Sequence, residues 1–160
     1  MGPAGVILVA VLSIPSTWTT VADYCGAPAK ILYAVALQES GRTLAGRFQP
    51  YPWTLNIGGR PVYYPSREAM FKGLMAALQT DTLSVDIGPM QLNWKWHYRR
   101  IGSPWLATDP VNNARLGCQL LQELHAQTGS WKRAIGRYHS ATPARAQHYY
   151  QGVQRQWLKL

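Results

Sequence analysis

The chain carries seven acidic residues, Asp23, Glu39, Glu68, Asp81, Asp86, Asp109 and Glu123, few enough to weigh one by one. Glu68 falls in the first turn of a helix that Ser66 can cap, Asp109 begins another helix, and Glu123 sits mid-helix facing solvent. Glu39 and Asp86 remain as candidates for acid–base chemistry. Glu39 follows Leu32, Val35 and Ala36 by seven, four and three residues, so it continues the apolar stripe of a helix. Desolvation there disfavours the charged form and raises the pKa, which lets the group hold and donate a proton near neutral pH. Cleavage of a glycosidic bond needs such an acid. On these grounds alone, a Glu that turns into solvent at the helix end accounts for the position equally well.

The second candidate region is residues 84–93 (SVDIGPMQLN), where Gly88 and Pro89 force a turn before Met90 and Gln91. Loops of this kind present backbone amides and a side-chain amide to a ligand, although Gly-Pro turns are common. His97, His125, His139 and His148 show no ligand spacing such as HExxH. No metal and no cofactor is expected.

Several helices and one hairpin must position these groups. Residues 29–40 place Ile31, Leu32, Val35 and Ala36 at helical spacing before Gly41. Residues 51–55 and 61–64 read as two short strands around Gly58 and Gly59. Ser66 opens a helix over 67–78, followed by a polar turn at 79–82. A helix from Asp109 stops at Gly129. A short helix over 131–138 and a terminal one over 143–158 are separated by a turn at 139–142. The expected class is α+β, predominantly α, with one small β-hairpin.

At 160 residues the chain is the size of one domain, and 47% apolar content argues for a packed core. The net charge of +9 attracts polyanions: nucleic acid, anionic lipid or a wall polymer bearing carboxylates. The cations are dispersed with no run of five, which reads as a basic surface and not as a nucleic-acid footprint. Residues 5–14 (GVILVAVLSI) have the length of a signal-peptide core and are too short to span a membrane. The chain therefore divides into a removable signal, 1–22, and a domain, 23–160, with no stable membrane span. Cys25 and Cys118, 93 residues apart, are expected to pair in an exported chain; two buried free thiols are the alternative.

The pair Glu39-Ser40 with Gly41 (ALQESG), the loop GPMQLN at 88–93, the helix starting Asp109-Pro110, and AIGRYHS at 134–140 with Tyr149 and Tyr150 beyond follow one another in a fixed order. In order and spacing they resemble the family 1 lytic transglycosylases, over residues 29–153, and most of all the small exported forms that accompany conjugation, secretion and pilus systems. The resemblance implies a lysozyme-like fold, with Glu39 as catalytic acid/base, and Ser84, Gly88, Met90, Gln91 and Asn93 along a glycan groove. It also places Tyr138 beside Glu39. His139 and Tyr150 join the groove in this reading, although a turn and helix packing account for them as well. The chain departs from the family at Pro89, where Leu is usual, at His139, where Asn is usual, and in the long insertion over 42–83.

The implied activity is cleavage of peptidoglycan between N-acetylmuramic acid and N-acetylglucosamine by a periplasmic monomer, with 1,6-anhydro ring formation and with glycan strands and an envelope-spanning machine as partners. One carboxylate suffices there, because the muramoyl C6 hydroxyl is the nucleophile. Hydrolysis with Asp86 as second carboxylate is the nearest alternative. A non-catalytic glycan-binding scaffold and a basic nucleic-acid binder stand further off; no nucleic-acid partner is expected.

Overall fold

In the computed structural model, which describes residues 11–80 and 84–160, the fold is predominantly helical with small antiparallel sheets. At its centre lies α2 (Ala29–Ser40), in which Leu32 to Leu37 are all buried. A helix apolar all round can be covered only from several sides. Its cover comes from α1 (Ser16–Cys25), from the hairpin of β1 (Gly41–Leu44) and β2 (Arg47–Pro50), and from the terminal helix α8 (Pro143–Trp157).

The expectation of a single hairpin is corrected. Strands β3 (Thr54–Ile57) and β4 (Arg60–Tyr63) form the anticipated one around Gly58 and Gly59, and β1 and β2 form a second. The turn of the second, Ala45-Gly46, has φ of 48° and 77°, and Ala is an uncommon residue at a positive φ. The first hairpin extends through β5 (Val85–Ile87) and β6 (Leu92–Asn93) into a four-stranded sheet of order β4-β3-β5-β6. Strand β3 starts at Thr54 and not at Tyr51, because Pro52 has no N–H to give to a ladder. Pro61 is tolerated because β4 is an edge strand.

Helix α3 (Arg67–Leu78) is capped by Ser66 Oγ, which accepts from the Ala69 N–H at 3.1 Å. Two further helices, α4 (Trp94–Ile101) and α5 (Pro104–Ala107), occupy a stretch not read as helical from the sequence. Helix α6 (Pro110–Thr128) is capped by Asp109 and ends at Gly129, as expected. It packs on α1 and on α7 (Trp131–His139), which in turn packs on α8. Along α6, Ala114 and Leu121 are buried, whereas Val111 is exposed. The polar turn expected at 79–82 falls partly on residues 81–83, outside the described residues.

Among the described residues no helix is long and apolar enough to cross a membrane. Residues 1–10 of the expected signal also lie outside the described residues. Its expected end, after Ala22, falls inside α1, where Val21 and Ala22 are buried and Trp18 packs against the core. A disulfide joins Cys25 at the end of α1 to Cys118 in the middle of α6, with Cα atoms 6.1 Å apart. Closing so long a loop restricts the unfolded chain and stabilises the fold by about 2–5 kcal/mol, and the link is compatible with an oxidising compartment. Two stability outcomes are expected from thermal unfolding. Cys25→Ala/Cys118→Ala melts well below the parent chain. A chain beginning at Asp23 melts lower than one beginning at Val11, because burying Val or Trp side chains contributes about 1.5–3 kcal/mol each. Equal melting of the two truncations would show that α1 adds nothing to the core.

Candidate active site

The cleft holding Glu39 is built from α2, β5, β6, the start of α4, the middle of α6 and the end of α7, with α8 packed behind the acid. Strand alternation sets one wall. In β5, Val85 and Ile87 are buried, so Asp86 between them points to the opposite face. Asp86 pairs in register with Asn93 of β6, and the Asn93 Nδ2 donates to Asp86 Oδ1 at 2.8 Å and to Ser84 Oγ at 2.7 Å.

Between β5 and β6, residues 88–91 make a tight turn. Gly88 has φ of 75°, and a Cβ there would meet the Asn113 side chain at 2.7 Å. Asn113, buried on α6, brackets the turn: its Nδ2 donates to the Ile87 carbonyl and its Oδ1 accepts from the Met90 N–H, each at 2.8 Å. The buried Ser40 Oγ donates to the Pro89 carbonyl at 2.8 Å, and the Tyr138 hydroxyl donates to the Met90 carbonyl at 2.7 Å. The turn is thus pinned to α2, α6 and α7 at once. Gln91 takes φ of 49°, and its Nε2 donates to the Gly88 carbonyl at 2.9 Å.

Helix α8 supplies the group closest to the acid. A Cβ at Gly152 would meet the Gln38 side chain at 2.7 Å, so its absence lets α8 approach the end of α2. One turn earlier on the same face, the Tyr149 hydroxyl donates to Glu39 Oε1 at 2.5 Å. His139 stacks on the Tyr149 ring, with centroids 4.7 Å apart and planes 3° from parallel.

A cleft of about 250 Å³ opens onto Glu39, lined also by Asp86, Gln91, Asn93, Trp96, His97, Tyr138 and His139. Burial raises the Glu39 carboxyl from its ordinary 4.5 to about 7, the Tyr149 hydrogen bond opposing the shift and the Asp86 charge adding to it. Burial also raises Asp86, against the Asn93 hydrogen bond and the His139 charge. Burial, together with the Glu39 charge, holds both Tyr138 and Tyr149 well above the ordinary tyrosine value, so both remain hydroxyl donors at neutral pH. Glu39 is therefore a proton donor facing a polar cleft, with a fixed hydroxyl ready to bond its carboxylate once the proton has gone.

Of the residues singled out in the sequence, Glu39, Asp86, Gln91, Asn93, Tyr138 and His139 come together here. Ser84 stands at the edge through its bond to Asn93. Gly88 and Met90 are buried beneath the cleft and do not line it; their role is to shape the turn. Tyr150 lies elsewhere, in a separate groove with Lys132 and Gln147. The tyrosine at the acid is Tyr149. The spacing of Ala146, Tyr149 and Val153 along α8 carries that distinction, since it puts Tyr149 on the inner face and rotates Tyr150 away. Trp96 and His97 had no signal, because α4 was not recognised as a helix.

Among the described residues no cluster of three His, Cys, Asp or Glu could hold a metal ion. The chain matches no family model, no curated protein and no solved structure.

The raised carboxyl has a consequence for stability. Between pH 4.5 and 7, native Glu39 keeps a proton that the unfolded chain has released. Stability is therefore fully present below the unfolded pKa and falls as pH rises through this window, by up to about 3 kcal/mol. Glu39→Gln removes the titration while its amide oxygen still accepts from Tyr149. Its stability relative to the parent chain is expected to grow between pH 5 and 8 in denaturant unfolding; a pH-independent difference would mean that Glu39 titrates as an ordinary carboxylate.

Proposed function

We propose that the chain is a peptidoglycan lytic transglycosylase with a lysozyme-like fold, exported to the periplasm, where it opens the wall for an envelope-spanning conjugation, secretion or pilus system. The observation that carries this reading is Glu39: a carboxylic acid raised to about 7, lining an open cleft and hydrogen-bonded by Tyr149. The ordered motifs around it, ALQESG, GPMQLN and AIGRYHS, support the same reading.

Glu39 protonates the glycosidic oxygen between N-acetylmuramic acid and N-acetylglucosamine, and the departing N-acetylglucosamine takes that proton. Participation of the N-acetyl oxygen stabilises the oxocarbenium-like state. The Glu39 carboxylate, now bonded by the Tyr149 hydroxyl, removes the proton from the muramoyl C6 hydroxyl. That oxygen closes the 1,6-anhydro ring and the acid is regenerated. No water enters the products, and no second carboxylate is required.

Hydrolysis is a second reading with its own observation, the presence of Asp86 in the same cleft. An ionised Asp86 could hold a water or attack the sugar. Its burial and its bond to Asn93 suit another role equally well: a negative charge that keeps the proton on Glu39.

Two variants and one product analysis separate the readings. Glu39→Gln is expected to lower cleavage of purified peptidoglycan by at least about a thousandfold with the fold retained, as loss of an essential acid does. Asp86→Asn is expected to keep anhydromuropeptide products while the alkaline limb of its pH profile moves to lower pH, since the charge raising Glu39 is gone. Reducing ends alone from the parent chain, with Asp86→Asn inactive, would establish hydrolysis instead.

A further inference from the structure

Helix α4 begins directly after Asn93, the residue bonded to Asp86, so its first turn is held in register with the carboxylate wall of the cleft. Within that turn the two neighbouring tryptophans face different ways. Trp94 packs against the core. Trp96, about 200° further round the helix, lines the cleft beside Glu39 and Asp86 and is 75% exposed, more than any other large apolar side chain among the described residues. The Lys95 Nζ lies 5.5 Å from its ring centroid and covers one face. Most of the side chain is left open to solvent.

An indole kept in water at the mouth of a polar cleft serves no packing purpose. It offers a flat apolar surface beside groups that bond hydroxyls and amides: Gln91, Asn93 and His97. A pyranose has the complementary construction, with axial C–H bonds presenting an apolar face and hydroxyls around the rim. We propose that Trp96 is the platform on which a sugar of the glycan strand, next to the scissile bond, stacks. This assignment rests on the glycan-cleaving function proposed above. The sugar lies over the open face of the indole, and the ammonium of Lys95 stands near any carboxylate that the sugar or its peptide carries.

The test uses the full chain with Glu39→Gln, so that binding is read without turnover, and a soluble tetrasaccharide of alternating N-acetylglucosamine and N-acetylmuramic acid as probe in calorimetry. Adding Trp96→Ala is expected to weaken binding by about tenfold, whereas adding Trp96→Phe, which keeps a flat ring, costs only about threefold. Because Trp96 is mostly exposed, all three proteins are expected to unfold at the same temperature. Equal affinity with and without Trp96 overturns the assignment of the platform and leaves the proposed activity standing. A Glu39→Gln chain that binds no tetrasaccharide overturns both. A Phe variant as weak as the Ala variant also overturns stacking as the source of affinity.

Discussion

The burial of one carboxyl at the end of an apolar helix is the constraint around which this molecule is arranged. Helix α2 is covered on every side from Leu32 to Leu37, and Glu39 emerges two residues later. Two effects oppose its ionisation. Water is largely removed from it, and it sits in the last turn of the helix, where the backbone dipole presents negative charge and no basic side chain offsets it. A single neutral donor, Tyr149, acts in the other direction. The balance leaves the group able both to give up a proton and to recover it near neutral pH. Such a placement reduces stability as pH rises above the carboxyl's ordinary value, so it persists because the rest of the core holds α2 in place.

Positioning depends on contacts that are neutral and directional. The turn before Gln91 is fixed by Ser40, Asn113 and Tyr138, reaching it from three different helices. None of these bonds involves a formal charge, so the fixing elements do not disturb the titration they surround. Ser40 is adjacent to Glu39, and its bond to Pro89 sets the distance between the acid and the loop facing it. The approach of α8 at Gly152 does the same for Tyr149. A ligand in the cleft therefore meets groups whose orientation is settled before it arrives.

Much of this was legible in the sequence where local signals were strong. Ser66 and Asp109 mark helix starts and Gly129 marks a stop, and each is found in that role. The stripe of Leu32, Val35 and Ala36 located Glu39 correctly, yet periodicity could not separate an acid in a cleft from one in solvent, because that depends on what packs opposite. The sheet was harder. Strands of two to four residues carry too few alternations to register, and the β1–β2 turn uses Ala45 where Asn would have been recognised. Helix α4 opens with Trp94, Lys95 and Trp96, an alternation that reads as a strand. Met90 was taken for a groove residue, although a side chain so apolar beside a pinned turn fills the space under it. Tyr150 was favoured over Tyr149 because the two are adjacent and only the phase of α8 tells them apart.

Net charge misleads most about the site itself. The chain carries +9, yet no Lys or Arg lines the cleft at Glu39. A cation there would hold the carboxylate ionised and lower its pKa, removing the proton that the proposed chemistry requires. Arg100, whose charge acts on the lining residue His97, is bonded through both terminal nitrogens to Glu123 at 2.7 Å. Its charge is thereby largely spent on a surface partner. Two carboxylates, each raised by burial, instead occupy the cleft together, and the negative charge of Asp86 favours the protonated form of Glu39. The basic exterior and the acidic interior of the cleft do separate work. The first attracts a polyanion over distances up to about a Debye length. The second acts only at short range, on the proton of Glu39.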